Sequence, residues 1–142
     1  MLTVTWDTRD FDEHVGKLLK QLKNKRPALT GMGIVAKEDV EQHFKDEKGS
    51  DGSWEALSDI TKRIRRKGKR GGADKILQDT GKLRTINFDV AEDSVTVGSA
   101  MKYGIYHQEG KGVPKREWLY LSKRAIEKLK QTVILFIKKA IT

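Results

Sequence analysis

Three histidines, His14, His43 and His107, are the side chains here best suited to proton transfer or metal binding near neutral pH. None has a second ligand at metal-binding spacing. His107-Gln108-Glu109 lacks the His-Glu-x-x-His order that sets two imidazoles on one face of a helix. His14 and His43 read as helix-surface residues, and His107, next to Tyr106 and near Tyr103, as a structural hydrogen-bonding group. No Gly-x-Ser-x-Gly raises a serine on a nucleophile elbow, and the glycines after Lys67 do not form a phosphate-cradling loop. Glu47 to Ser58 shares only Asp51-Gly52 with a calcium loop, and Ser58 stands where a bidentate carboxylate is required. The chain has no cysteine, which excludes disulfides, thiol nucleophiles and thiolate metal sites and fits a reducing compartment. These observations predict a protein that is not an enzyme and has no cofactor and no metal.

Two shorter matches carry no more. Gly104-Ile105-Tyr106 is half of the signature of GIY-YIG endonucleases, without the Tyr-Ile-Gly that should follow. Glu92-Asp93 is not followed two residues later by the lysine of a common metal-dependent nuclease pattern.

Charge is the stronger signal. Of the nine residues from Lys62 to Arg70, seven are basic: Lys62, Arg63, Arg65, Arg66, Lys67, Lys69 and Arg70. The net charge is +9, and outside this stretch 22 bases face 20 acids, so the rest of the chain is nearly balanced. Residues 38–59 hold eight acids and two lysines, placing an anionic block beside the cationic one. Dense lysine and arginine can neutralise a nucleic-acid backbone by counterion release, without reading its sequence. They can equally meet an acidic protein surface. These seven residues are therefore the candidates for DNA or subunit contact. Little aromatic interleaving argues against stacking on single strands.

The elements that would position these groups follow from periodicity. Leu2, Val4 and Trp6 alternate as in a half-buried strand. Asp7 or Thr8 then caps a helix whose apolar face is Phe11, Val15, Leu18, Leu19 and Leu22, ended by Pro27. A second helix runs from about Pro27 to Lys48, burying Leu29, Met32, Ala36, Val40 and Phe44, with Gly31 and Gly33 weakening it by about 1 kcal/mol each relative to alanine. After the turn cluster at 49–53, a short helix capped by Ser58 reaches Arg66 and leads into a flexible basic loop at about 66–74. Ile86, Phe88, Val90, Val95 and Val97 alternate about Ala91-Glu92-Asp93 and predict a hairpin. Tyr103, Tyr106 and His107 share one face of a short helix ending at Gly110. Trp118, Tyr120 and Leu121 suggest a third strand, and Ser122 caps a long last helix carrying Ile126, Leu129, Val133, Phe136, Ile137 and Ala140. The class predicted is α+β, a small antiparallel sheet packed against N-terminal helices and a long C-terminal helix, in a single domain over 1–142. No apolar run approaches the ~20 residues of a membrane span, and the N-terminus lacks the pattern of a signal peptide.

Several fragments together resemble one known family. They are Phe44 with Gly52-x-Trp54-x-x-Leu57-x-x-x-Thr61, then Lys75-Ile76-Leu77-Gln78-Asp79-Thr80-Gly81-Lys82-Leu83. Val95-x-Val97-Gly98, Tyr103-x-x-x-His107-Gln108-x-Gly110 and Pro114-x-Arg116-x-Trp118-Leu119-x-Leu121-Ser122 follow in order. In this order and spacing the chain resembles the phage virion morphogenesis family, the tail-completion proteins of Mu-like and P2-like phages. It departs at Tyr120, where a glycine is common, and at Glu109, where an aromatic is.

The resemblance implies a structural protein of a phage or prophage that completes the tail and assists head-tail joining, as an oligomeric ring. Its partners would be tail and connector proteins and further copies of itself, with non-specific DNA contact and no membrane. It would act in the host cytoplasm during assembly and then in the virion. The family-motif residues Trp54, Leu57, Leu77, Thr80, Gly81, Leu83, Gly98, Tyr103, His107, Gln108, Pro114, Arg116, Trp118 and Leu119 are expected to maintain the fold: Trp54 and Leu57 as an anchor, Gly81 and Gly98 at turns or close approaches, and Arg116 holding a carboxylate or carbonyl. The alternative reading is a small basic nucleic-acid-binding protein or toxin-like ribonuclease.

Overall fold

A computed structural model describes residues 3–5, 7 and 9–142 except 68–73, with the side chains of 66 and 67 also left out. Its elements are α1 (Arg9–Lys23), α2 (Arg26–Asp46), β1 (Lys48–Gly49), β2 (Gly52–Ser53), α3 (Asp59–Lys67), β3 (Asn87–Val90), β4 (Val95–Gly98), α4 (Gly104–Glu109) and α5 (Lys123–Ile141). The class is α+β, with two small antiparallel sheets, β1–β2 and β3–β4. Helix α2 is the central element, packed on α5 and on the β3–β4 hairpin, while α1 lies along α5.

The caps explain the boundaries. Asp7 accepts the Arg9 amide at the start of α1. Ser58 accepts the Thr61 amide and Ser122 the Ala125 amide, so α3 and α5 begin where their hydroxyls satisfy first-turn donors. Proline in the first turn of α2 removes a donor that would have no partner. At its other end Glu47 turns left-handed, with φ 51°. The core joins Val40 and Phe44 of α2 to Trp54, Leu57, Ile76, Leu77, Leu83, Ile86 and Trp118. In the hairpin Phe88 faces Val97 across the register, and Phe88 packs flat on α2 at Gly33. A Cβ there would lie 2.3 Å from the ring, so this glycine admits the sheet rather than merely weakening the helix.

Four expectations need correction. Thr3, Val4 and Thr5 form no strand and Val4 is exposed, while Leu2, Trp6 and Thr8 lie outside the described residues. No residue of α1 is buried: Val15, Leu18 and Leu22 are half-covered by their neighbours, and Phe11 and Leu19 stand in solvent. Residues 114–122 pair with no strand; side chains from other elements take several of their backbone groups instead. His43 lies on the buried face of α2, only 4% exposed. The predicted basic loop falls largely on residues 68–73, outside the described ones.

Candidate functional site

Several family-motif residues converge on the segment 114–122. Gln108, on α4, accepts the amides of Trp118 and Leu119 at its Oε1, at 3.0 and 2.9 Å, and donates from Nε2 to the Leu119 carbonyl at 2.8 Å. One side chain thus does what a neighbouring strand would do. Trp54 donates its indole N–H to the Glu117 carbonyl at 2.9 Å, and Trp118 donates to the Gly104 carbonyl at 2.8 Å. Gly104 is part of this contact: a Cβ would sit 2.7 Å from Leu83 Cδ1 and 2.8 Å from Trp118 Cζ2. The sequence offered Gly104 only as a fragment of a nuclease signature; its neighbour at 118 was the available clue.

Arg116 is buried and holds two carbonyls, Glu55 O at 2.8 Å and Ala56 O at 3.3 Å, while its amide donates to His107 O at 2.7 Å. Burial holds its guanidinium below the usual pKa. Trp54 and Leu57 are both in the core. Leu77 is buried with φ 60°, a strained value for a branched side chain. Beside it Gln78 reaches the Phe44 carbonyl at 2.8 Å and accepts from Arg84 at 3.0 Å. Leu83 is fully buried. Gly81 has φ +75°, a left-handed turn; Gly98 has no positive φ and open space at its Cβ, so neither a turn nor a close approach requires glycine there. Thr80 accepts the Lys82 amide at 3.4 Å. Pro114 and Leu119 are exposed.

A cleft of about 450 Å³ brings together Arg65, Leu77, Asp79, Thr80, Lys82, Met101, Tyr103 and His107. Burial first, then the positive charges of Arg116 and Arg65, hold the His107 imidazole below its usual pKa. Its Nδ1 is buried without a hydrogen bond, against the expectation of a structural bond by this ring. Arg65 donates to Lys75 O at 2.9 Å, and its Nε lies 3.9 Å from Asp79 Oδ1. The guanidinium therefore ties the end of α3 to the following segment. Of the other cations proposed for contact, Lys62 is partly covered and Arg63 exposed on α3. Arg66 and Lys67 end that helix with undescribed side chains, and Lys69 and Arg70 lie outside the described residues. Among the described residues no group of three or more His, Cys, Asp or Glu side chains could hold a metal ion, and no helix is long and apolar enough to cross a membrane.

A second polar constellation was missed in the sequence. His43 stacks on Tyr120 with ring centroids 3.8 Å apart, and its Nε2 lies 3.0 Å from Tyr120 O and 3.3 Å from Asp39 Oδ2. Asp39 accepts the Ser122 amide at 2.9 Å and its hydroxyl at 2.6 Å. Desolvation lowers the His43 pKa against the opposing pull of Asp39, Asp46 and Glu117. A neutral ring donating from Nε2 fits both acceptors. This junction fixes the start of α5 on α2. Its only sequence signal was Asp39 and His43 four residues apart on one helix face.

Comparison with curated proteins and with solved structures gives no match. The family comparison does: residues 6–136 match the phage virion morphogenesis family, covering nearly the whole chain and every motif described above. The chain belongs to the phage virion morphogenesis family.

Proposed function

We propose that this protein completes the phage tail and assists its joining to the head, working as a ring of identical subunits and without catalysis. The observation that carries this is the family match over residues 6–136. Two features of the molecule support it. The polar motif side chains Gln108 and Arg116 bond to backbone within the fold, which leaves them holding structure rather than poised over a substrate. Large apolar side chains also stand exposed on α1, α3, α4 and α5, including Phe11, Ile60, Ile64, Tyr106, Leu135 and Ile141, as expected of a chain that is covered on assembly.

On this reading the protein acts in the host cytoplasm and remains in the virion, among tail and connector proteins. The cationic run from α3 onward then faces the DNA or an adjacent subunit. The test is a phage or induced prophage lacking this gene, viewed by negative-stain microscopy. Filled heads and separate tails should accumulate, and adding the purified protein to the lysate should restore joined particles. Normal, infectious particles in its absence would end the proposal.

A further inference from the structure

One strand pattern in the sequence finds no partner in its own subunit. Leu2, Val4 and Trp6 alternate with Thr3 and Thr5, and all but the leucine are strong strand formers. Yet residues 3–5 join no sheet, no backbone bond engages them among the described residues, and Val4 is 69% exposed. No residue of the following helix α1 is buried either, so its own subunit covers this end of the chain only lightly.

The β3–β4 hairpin offers a matching edge. Ala91 donates to Ser94 O at 2.8 Å beside the turn, and in an antiparallel ladder the bonded pairs alternate. With Val90 opposite Val95 and Phe88 opposite Val97, the bonds to β3 fall to Thr96 and Gly98. Val95 and Val97 therefore turn their amides and carbonyls outward, and among the described residues no third strand pairs with them. The sequence of β4, Val-Thr-Val-Gly, has neither the charge nor the proline that commonly blunts a free edge. Val95 and Val97 also line a groove of about 340 Å³, with Met32, Ala36, Leu119 and Leu121.

We propose that residues 2–6 of a second copy of this chain add to β4 as a third strand. The inference rests on the self-assembly reading above and names a contact that would make it. A strand paired there sets alternate side chains on the groove side of the sheet, beside Val95 and Val97. Leu2, Val4 and Trp6 then enter the apolar groove, while Thr3 and Thr5 stay with Thr96 on the exposed face. Five extended residues span about 16 Å, enough to pair along the roughly 13 Å of β4. An N-terminal strand passed to the next copy is a heterologous contact, the kind that closes into rings.

The chain has no cysteine, so introduced cysteines report this contact cleanly. Thr96 is a non-bonded position of the free edge, where the facing residue lies about 4.5 Å away between Cα atoms, within disulfide range. Thr96→Cys is mixed with Thr3→Cys and, separately, with Thr5→Cys, oxidised and run on non-reducing gels. Sedimentation velocity compares wild type with Val4→Asp. All of these positions are exposed, so the variants should fold, which circular dichroism checks. Wild type should form oligomers, and one of the two mixtures should give a disulfide-linked dimer. Val4→Asp should weaken association tenfold or more and, added to the Thr3→Cys or Thr5→Cys chain, abolish the link. Wild-type oligomers with no link in either mixture, and with Val4→Asp associating normally, overturn this contact and leave self-assembly standing. A link that closes only within one chain of the Thr5→Cys/Thr96→Cys double variant overturns the exchange and gives the edge to the subunit's own N-terminus. A wild-type chain that stays monomeric at every concentration overturns self-assembly and this contact with it.

Discussion

Replacing Gly33 with alanine sets two physical effects against each other. Within α2, away from any contact, alanine should stabilise the helix by about 1 kcal/mol over glycine. Here the added Cβ would lie 2.3, 2.7 and 2.8 Å from Cδ2, Cε2 and Cγ of Phe88, where carbon atoms normally rest about 3.5–4.0 Å apart. The ring must retreat by about 1 Å or more. Phe88 is fixed at both ends, by the β3–β4 ladder opposite Val97 and by the α2 surface beneath it. Overpacking of this kind costs about 1–3 kcal/mol, occasionally more. Set against the helix gain, the expected net effect of Gly33→Ala is a loss of up to about 2 kcal/mol, a fall in Tm of up to about 7 °C for a chain of this size. Thermal and urea unfolding followed by circular dichroism measure it. The decisive control is the same substitution in a Phe88→Ala background, where the obstacle is gone and alanine should become stabilising. A Gly33→Ala protein that melts above wild type would refute the close approach of β3 to α2.

Two further outcomes follow from the site. Gln108→Ala leaves the Trp118 and Leu119 amides and the Leu119 carbonyl without their partner and should cost about 1–3 kcal/mol in urea unfolding, whereas Gln108→Glu keeps both acceptor contacts and should cost less. Stability should also fall in acid through the two histidines whose folded-state pKa values are lowered, His43 and His107. The unfolded chain binds their protons first, so this contribution is complete above an unfolded-state pKa of about 6.5 and is lost as pH falls below it toward the depressed folded values. His43→Phe, which keeps the stack on Tyr120, should flatten its share of the slope in melts between pH 7 and 5.

Where local chemistry decides, the sequence was readable. Ser58 and Ser122 began helices because their hydroxyls can take first-turn amides, and the alternation from Ile86 to Val97 marked a hairpin because the pleat has period two. Where a distant partner decides, it was not. His43 sits in a run of charged residues that reads as surface, and only the Tyr120 ring, 77 positions away, makes it interior. Trp118 to Leu121 has the pattern of a strand and pairs with none. The bonding groups of residues 117–122 are taken by Gln108, Trp54, His43 and Asp39, three different parts of the chain, and no periodicity announces that. Gly33 and Gly104 read as helix weakness and as a nuclease fragment, because a sequence records the missing Cβ and not the ring that fills its place.

The placement of the motif residues bears on how such a chain could assemble. Trp54, Leu57, Leu77, Leu83, Arg116 and Trp118 are buried, and Gln108 bonds to backbone, so most of what marks the family is engaged within one subunit. Residues engaged inside cannot also be the surface offered to a partner. Under the proposed assembly, contact falls to side chains outside that set, such as Phe11, Leu19, Ile60, Ile64, Ile105, Tyr106, Leu135 and Ile141 on α1, α3, α4 and α5. Helix α1 has an apolar face, yet none of its residues is buried, so packing within the monomer accounts for only part of its sequence. Under the proposed self-assembly, that unburied apolar face is the surface a neighbouring subunit would cover.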